Sequence, residues 1–152
     1  MKRCVFALAL LSFGLLLTPL AMAGPKEEVA AATVKWGEVL EQQDPAKITT
    51  LYAKDGVLWG TLSPAVRTGP EAIRSYFVSA FGSLPQIKVS FGDQLIRVYG
   101  NAAVNTGYYT FSYTTDGVVK TIPARYSFTY VKDGDEWLIV DHHSSAMPPS
   151  VR

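Results

Sequence analysis

Near its C-terminal end the chain reads Trp137-Leu138-Ile139-Val140-Asp141-His142-His143-Ser144-Ser145, placing its only two histidines beside a carboxylate and two hydroxyls. If this run is a regular strand, side chains alternate between faces. Trp137, Ile139, Asp141, His143 and Ser145 then share one face, and Leu138, Val140, His142 and Ser144 the other. Asp141 and His143 would stand roughly 6.6 Å apart along the strand, close enough for a carboxylate to hold an imidazole and raise its pKa. The bland counterpart is a buried hydrogen-bonded network at a subunit interface. His142 with Ser144 has the residue types of a nucleophilic pair, but it lacks the G-x-S-x-G elbow that exposes and activates such a serine. Two histidines on opposite faces cannot share one ion, and the chain has no third histidine and only Cys4 as a thiol. No metal is expected.

Arg125 stands among Ala124, Tyr126 and Phe128, where a charge needs a partner. It either pairs with an acid such as Asp141 or meets an anionic ligand at a cavity mouth. The tyrosines, Tyr109 among them, are numerous enough that some should project hydroxyls into an apolar pocket, and Trp59, beside an irregular loop that could act as a lid, is the best single candidate to line it. The expected pocket set is Trp59, Tyr109, Arg125, Asp141, His142, His143 and Ser144. No Gly-rich loop follows a strand, so no nucleotide cofactor is expected.

These residues are carried by elements that the spacing of apolar residues outlines. Val29, Ala32, Trp36, Val39 and Leu40 recur at helical spacing and predict a helix over 26–43. Asp44-Pro45 reads as a cap and first turn of a second, shorter helix with Ile48, Leu51 and Tyr52 on its apolar face, ended by Asp55-Gly56. Val57 to Thr61 is a short strand, and Leu62 to Thr68 an irregular loop containing Pro64 and Arg67. Gly69-Pro70-Glu71 starts a third helix whose stripe is Ile73, Tyr76, Phe77, Ala80 and Phe81. Beyond Pro85 the period becomes two, giving strands over 86–99, 102–115, 118–132 and 135–145. Gly100-Asn101, Asp116-Gly117 and Asp133-Gly134 join them as tight hairpins, with Gly92, Gly107 and Pro123 as candidate bulges or bends. Helices first and strands second predict an α+β fold, three N-terminal helices packed on a curved, mainly antiparallel sheet.

The N-terminus carries a different message. Met1-Lys2-Arg3, the apolar run from Val5 to Leu17 and Ala21-Met22-Ala23 have the charged, apolar and small-residue order of a cleavable signal peptide over 1–23. Removing it leaves 152 − 23 = 129 residues, enough for one domain over 24–149 with a short tail at 150–152. The processed chain has 12 basic and 13 acidic residues (14 less Lys2 and Arg3, against 13), scattered singly. That argues against nucleic acid or an anionic membrane as partner. The expected location is periplasmic or secreted.

The segment from Trp137 to Pro148 resembles the end of the calcium/calmodulin-dependent protein kinase II association domain, a tryptophan strand followed by a histidine-rich stretch, serine and proline. The order of elements over 26–149 is also similar to the nuclear transport factor 2-like superfamily, whose bacterial members are often called SnoaL-like or of the SgcJ/EcaC type. The resemblance implies a cone whose sheet wraps a helix around a cavity, and self-assembly into a dimer or larger ring. It implies no kinase activity, since no kinase domain is present. Kinase hubs line the cavity with arginines; here Ser144 occupies one such position and Phe128 aligns with another, so Arg125 could compensate only through a bulge near Pro123. The functions left are a binding or oligomerisation module for a small apolar or carboxylate-bearing ligand, or a cavity enzyme of the isomerase, dehydratase or hydrolase kind.

The leader gives a direct prediction. Mass spectrometry of the exported protein should find Gly24 as its first residue, whereas an intact N-terminus in the membrane fraction would replace this account with an anchored one.

Overall fold

The computed structural model describes residues 24–149; the expected signal peptide and the tail after Pro149 lie outside them. Helix α1 spans Pro25–Glu41 and α2 Pro45–Thr49, followed by strands β1 (Tyr52–Trp59) and β2 (Arg67–Thr68). Helix α3 (Gly69–Ser83) then leads into β3 (Lys88–Tyr99), β4 (Ala102–Thr115), β5 (Val118–Asp133) and β6 (Glu136–Ala146). The six strands form one sheet in the order β2-β1-β6-β5-β4-β3. β1 and β6 run parallel; every other pairing is antiparallel.

Local chemistry explains the element ends. Asp44 caps α2, its Oδ1 accepting from the amides of Ala46 at 2.9 Å and Lys47 at 3.1 Å. Asp116 and Gly117 both have positive φ, 53° and 73°, as the tight hairpin between β4 and β5 requires. All three helices pack on one face of the sheet, where Trp36, Leu40, Ile73, Phe77, Tyr109 and Phe128 belong to a single core. On β3 the sheet bends where Gly92 and Asp93 together oppose Tyr108, with Gly107 beside them.

Two expectations need correction. Helix α2 does not continue to Asp55-Gly56: it stops at Thr49, and Tyr52 already belongs to β1. The Leu51 carbonyl accepts the Ile139 amide at 2.9 Å, so the chain is captured by β6 before another helical turn can form. Residues 53–56 bulge out of the pairing, and Gly56 is needed there because a Cβ would lie 2.9 Å from the Ala53 carbonyl oxygen and 3.1 Å from that of Ile139. The expected irregular loop also contains strand β2.

The second correction concerns the faces of β6. Tyr130 pairs with Ile139 and Thr129 with Asp141, leaving Val140 as an extra residue. One such bulge reverses the alternation beyond it. Trp137 and Ile139 are therefore buried together with His142 and Ser144, while Asp141, His143 and Ser145 leave that face. No bulge occurs at Pro123, which pairs regularly with Thr110, so Arg125 and Phe128 stay on opposite faces. Arg125 is exposed and Phe128 is not.

Deleting Val140 should restore plain alternation and force either Trp137 and Ile139 or His142 and Ser144 out of the core. Urea titration followed by circular dichroism should then show loss of the cooperative transition. A transition like that of the parent would mean that the sheet realigns elsewhere and that the bulge sets nothing.

Candidate functional site

The interior of the cone is built around His142. The imidazole is buried, stacked on Phe128 at 4.0 Å between ring centres and edge-on to Trp36 at 5.1 Å. Its Nδ1 lies 2.9 Å from the Tyr52 hydroxyl and its Nε2 3.4 Å from that of Tyr109. The Trp36 indole Nε1–H donates to Tyr52 at 3.1 Å. Donor counting assigns the tautomer: an indole can only donate, so the Tyr52 proton is left for Nδ1, and the ring proton sits on Nε2 facing Tyr109. Tyr109 is in turn hydrogen-bonded to Ser144, whose hydroxyl meets that of Thr61. A continuous chain of donors thus runs from Trp36 on α1 to the loop after β1.

Burial sets the charge states along this chain. Desolvation lowers the His142 pKa to about 3, with the neighbouring charge of His143 acting in the same direction. Tyr52 and Tyr109 are pushed far above the ordinary phenol value by the same burial. At neutral pH every group in the chain is uncharged.

Beside it opens a narrow apolar cleft with about 30 Å³ of water-accessible space. Trp36, Leu58, Phe77, Leu84 and Phe111 supply apolar wall, and Tyr109, His142, Ser144 and Thr61 form the polar corner. Gly60 belongs to the rim because a Cβ there would lie 2.3 Å from the Tyr76 ring, which closes that side. A neighbouring hollow shares Leu62, Tyr76 and Ala80 with the cleft and is bordered by Arg67 and Ser63.

The residues grouped from sequence divide between the two sides of the sheet. Tyr109, His142 and Ser144 line the cleft. Trp59 is 49% exposed and pairs with His143, while the buried Leu58 beside it points inward. Asp141 shares the outer face with them; burial pushes its carboxyl up, and His143 and the Trp59 indole pull it back. Arg125 Nε donates to Ser145 Oγ at 3.2 Å on that same side rather than to Asp141. Thr61, Tyr76 and Arg67 border the two hollows without having been singled out. Arg67 had a readable signal, a lone cation in a loop beside Trp59.

Comparison with known proteins follows the same lines. The calcium/calmodulin dependent protein kinase II association domain matches residues 25–148, and the chain belongs to this family. A crystal structure from Xanthomonas campestris, described as a candidate member of the same domain family, is 39% identical, with a TM-score of 0.77 over 84% of this chain and 91% of that one. A nuclear transport factor 2-like protein of Novosphingobium aromaticivorans superposes with a TM-score of 0.70 at 16% identity, covering 82% of each chain. A candidate dehydratase of that family from Streptomyces avermitilis gives 0.70 at 16% identity, over 80% of this chain and 96% of that one. These last two show the shared fold, a nuclear transport factor 2-like cone. No curated protein matches the chain.

The charge state of His142 can be checked. Its folded pKa of about 3 lies below the unfolded value, so between about pH 6.5 and 3 the unfolded chain binds more protons. The stabilisation is complete above that window and is lost as pH falls through it, at up to about 1.4 kcal/mol per pH unit. Nitrogen-15 shifts of His142 should keep their Nε2–H values from neutrality down to about pH 4.5. A midpoint near the free-histidine value would show that the ring is hydrated and the donor chain open.

Proposed function

We propose that the protein is an exported, self-associating module that holds a small, mostly apolar molecule in the cone, without kinase activity. One observation carries this reading: the cleft's polar corner is a closed chain of neutral donors and acceptors centred on His142. Such a corner orients a ligand through a hydroxyl or amide contact while the apolar walls supply affinity. A cavity enzyme working by acid–base catalysis needs a group that exchanges protons near neutral pH. His142 and Tyr109 are both displaced from that range by burial, and the outward-facing Asp141 and His143 cannot serve a substrate in the cleft.

Self-association is supported by the family and by the outer face of the sheet. Trp59 and Tyr108, the latter 62% exposed, stand there with Leu95 and Tyr99 among smaller polar side chains. A second copy laid on this face would cover them and the Asp141–His143 pair together, which also suits export as a soluble assembly in the periplasm or medium.

Light scattering at micromolar concentration should report at least a dimer. Tyr108→Glu should reduce it to the mass of one chain with the fold intact by circular dichroism. In the same protein hexanamide, an apolar tail with a neutral head, should shift the Trp36 and Ser144 resonances saturably. A wild-type monomer would remove the assembly half of the proposal, and unmoved cleft resonances the binding half.

A further inference from the structure

The cation that the cleft lacks stands at its rim. β2 pairs antiparallel with the end of β1, Leu58 directly opposite Arg67 and Val57 opposite Thr68. Directly opposed residues of an antiparallel pair project to the same face. Leu58 is buried and lines the cleft, so Arg67 is directed to the cavity side, unlike Arg125. Its Nη2 donates to Ser63 Oγ at 3.2 Å, and its Nε is buried with no hydrogen-bond partner. Among the described residues the ion pairs are Lys35–Glu136 and Lys132–Glu28, and no carboxylate among them reaches Arg67.

A guanidinium with a desolvated, idle donor is an arrangement that an incoming acceptor relieves. Because the donors form a planar fork, a carboxylate is the acceptor that fits it best, taking two parallel bonds. The other polar groups at this rim are already engaged: Tyr76 bonds the backbone of Leu62, and Ser79 and Ser83 donate to carbonyls of their own helix. They contribute shape and leave recognition to Arg67. The hollow it borders shares Leu62, Tyr76 and Ala80 with the cleft, so a head group on Arg67 has apolar space next to it.

We propose that Arg67 is an anion-recognition residue at the mouth of the cone and that the ligand is a small monocarboxylate. Its head pairs with the guanidinium, and its apolar tail passes Leu62 into the cleft. This rests on the cleft being a binding site, and it adds the ligand's charge, its direction of entry and the residue that selects it. Strand β2, only two residues long, acquires a purpose: it holds Arg67 in register with the cavity wall.

The experiment compares acetate, hexanoate and hexanamide by calorimetry and by the Trp36 and Ser144 resonances, at neutral pH, on the whole processed protein. Hexanoate should bind at least about tenfold tighter than hexanamide. Acetate, with no tail, should bind far more weakly than hexanoate. Arg67→Gln should abolish the preference for hexanoate over hexanamide, and Arg67→Lys should keep part of it. If hexanoate and hexanamide bind wild type equally well, the anion site is wrong and the binding cleft stands. If neither ligand moves the cleft resonances, the binding reading itself fails and takes this proposal with it. Acetate binding as tightly as hexanoate would overturn the joined site, since head and tail would then not share one ligand. The comparison of ligands on wild type keeps the test decisive even if an Arg67 variant folds poorly.

Discussion

Placing one imidazole in a buried interior dictates much of this architecture. A charged ring there would be prohibitively costly, so His142 must be neutral and both its nitrogens must find partners. Those partners come from distant parts of the chain: Tyr52 is 90 residues away in sequence and Tyr109 is 33. Trp36, tied to Tyr52, brings α1 into the same cluster. Phe128 covers one ring face from the neighbouring strand. The hydrogen bonds require α1, β1, β4 and β6 to be in their final places together, and the cleft is the space that this cluster leaves under α3.

The bulge at Val140 is what makes that cluster possible. The first part of β6 must turn Trp137 and Ile139 inward to complete the base of the core, and its last part must turn His142 inward to complete the tip. An unbroken strand cannot meet both demands, because the residues differ in parity. One inserted residue resolves the conflict, and β1 accommodates it with its own bulge at residues 53–56. The outer face is defined by the same step, which sends Asp141 and His143 there.

This explains what could be read in advance. Hairpin dipeptides, the cap at Asp44 and the stripes of the long helices are local signals, and the element order they predict is the observed one apart from β2. The divergence of the two histidines also follows from neighbouring positions on a strand. What could not be read is non-local. Val140 is an ordinary valine whose status as the extra residue depends on pairing with β5. Asp55-Gly56 has the composition of a helix stop, yet Gly56 serves a tight bulge beside β6. Trp59 draws attention by its size, but the parity of a parallel pairing gives the inward place to Leu58. Arg67 looked like loop because a two-residue strand carries too few side chains to show a period.

The strand order has a consequence for how the chain can be made. β6, the last strand of the sheet in chain order, lies inside it between β1 and β5. Until it arrives, β1 and β2 have no strand to join them to the β3–β4–β5 meander, and the core lacks His142, Ile139 and Trp137. Residues 25–146 must therefore all leave the ribosome before the sheet can close, and the domain stays loose until β6 emerges. The same topology makes the loss of β6 especially damaging, because it would part β1 and β2 from the rest of the sheet.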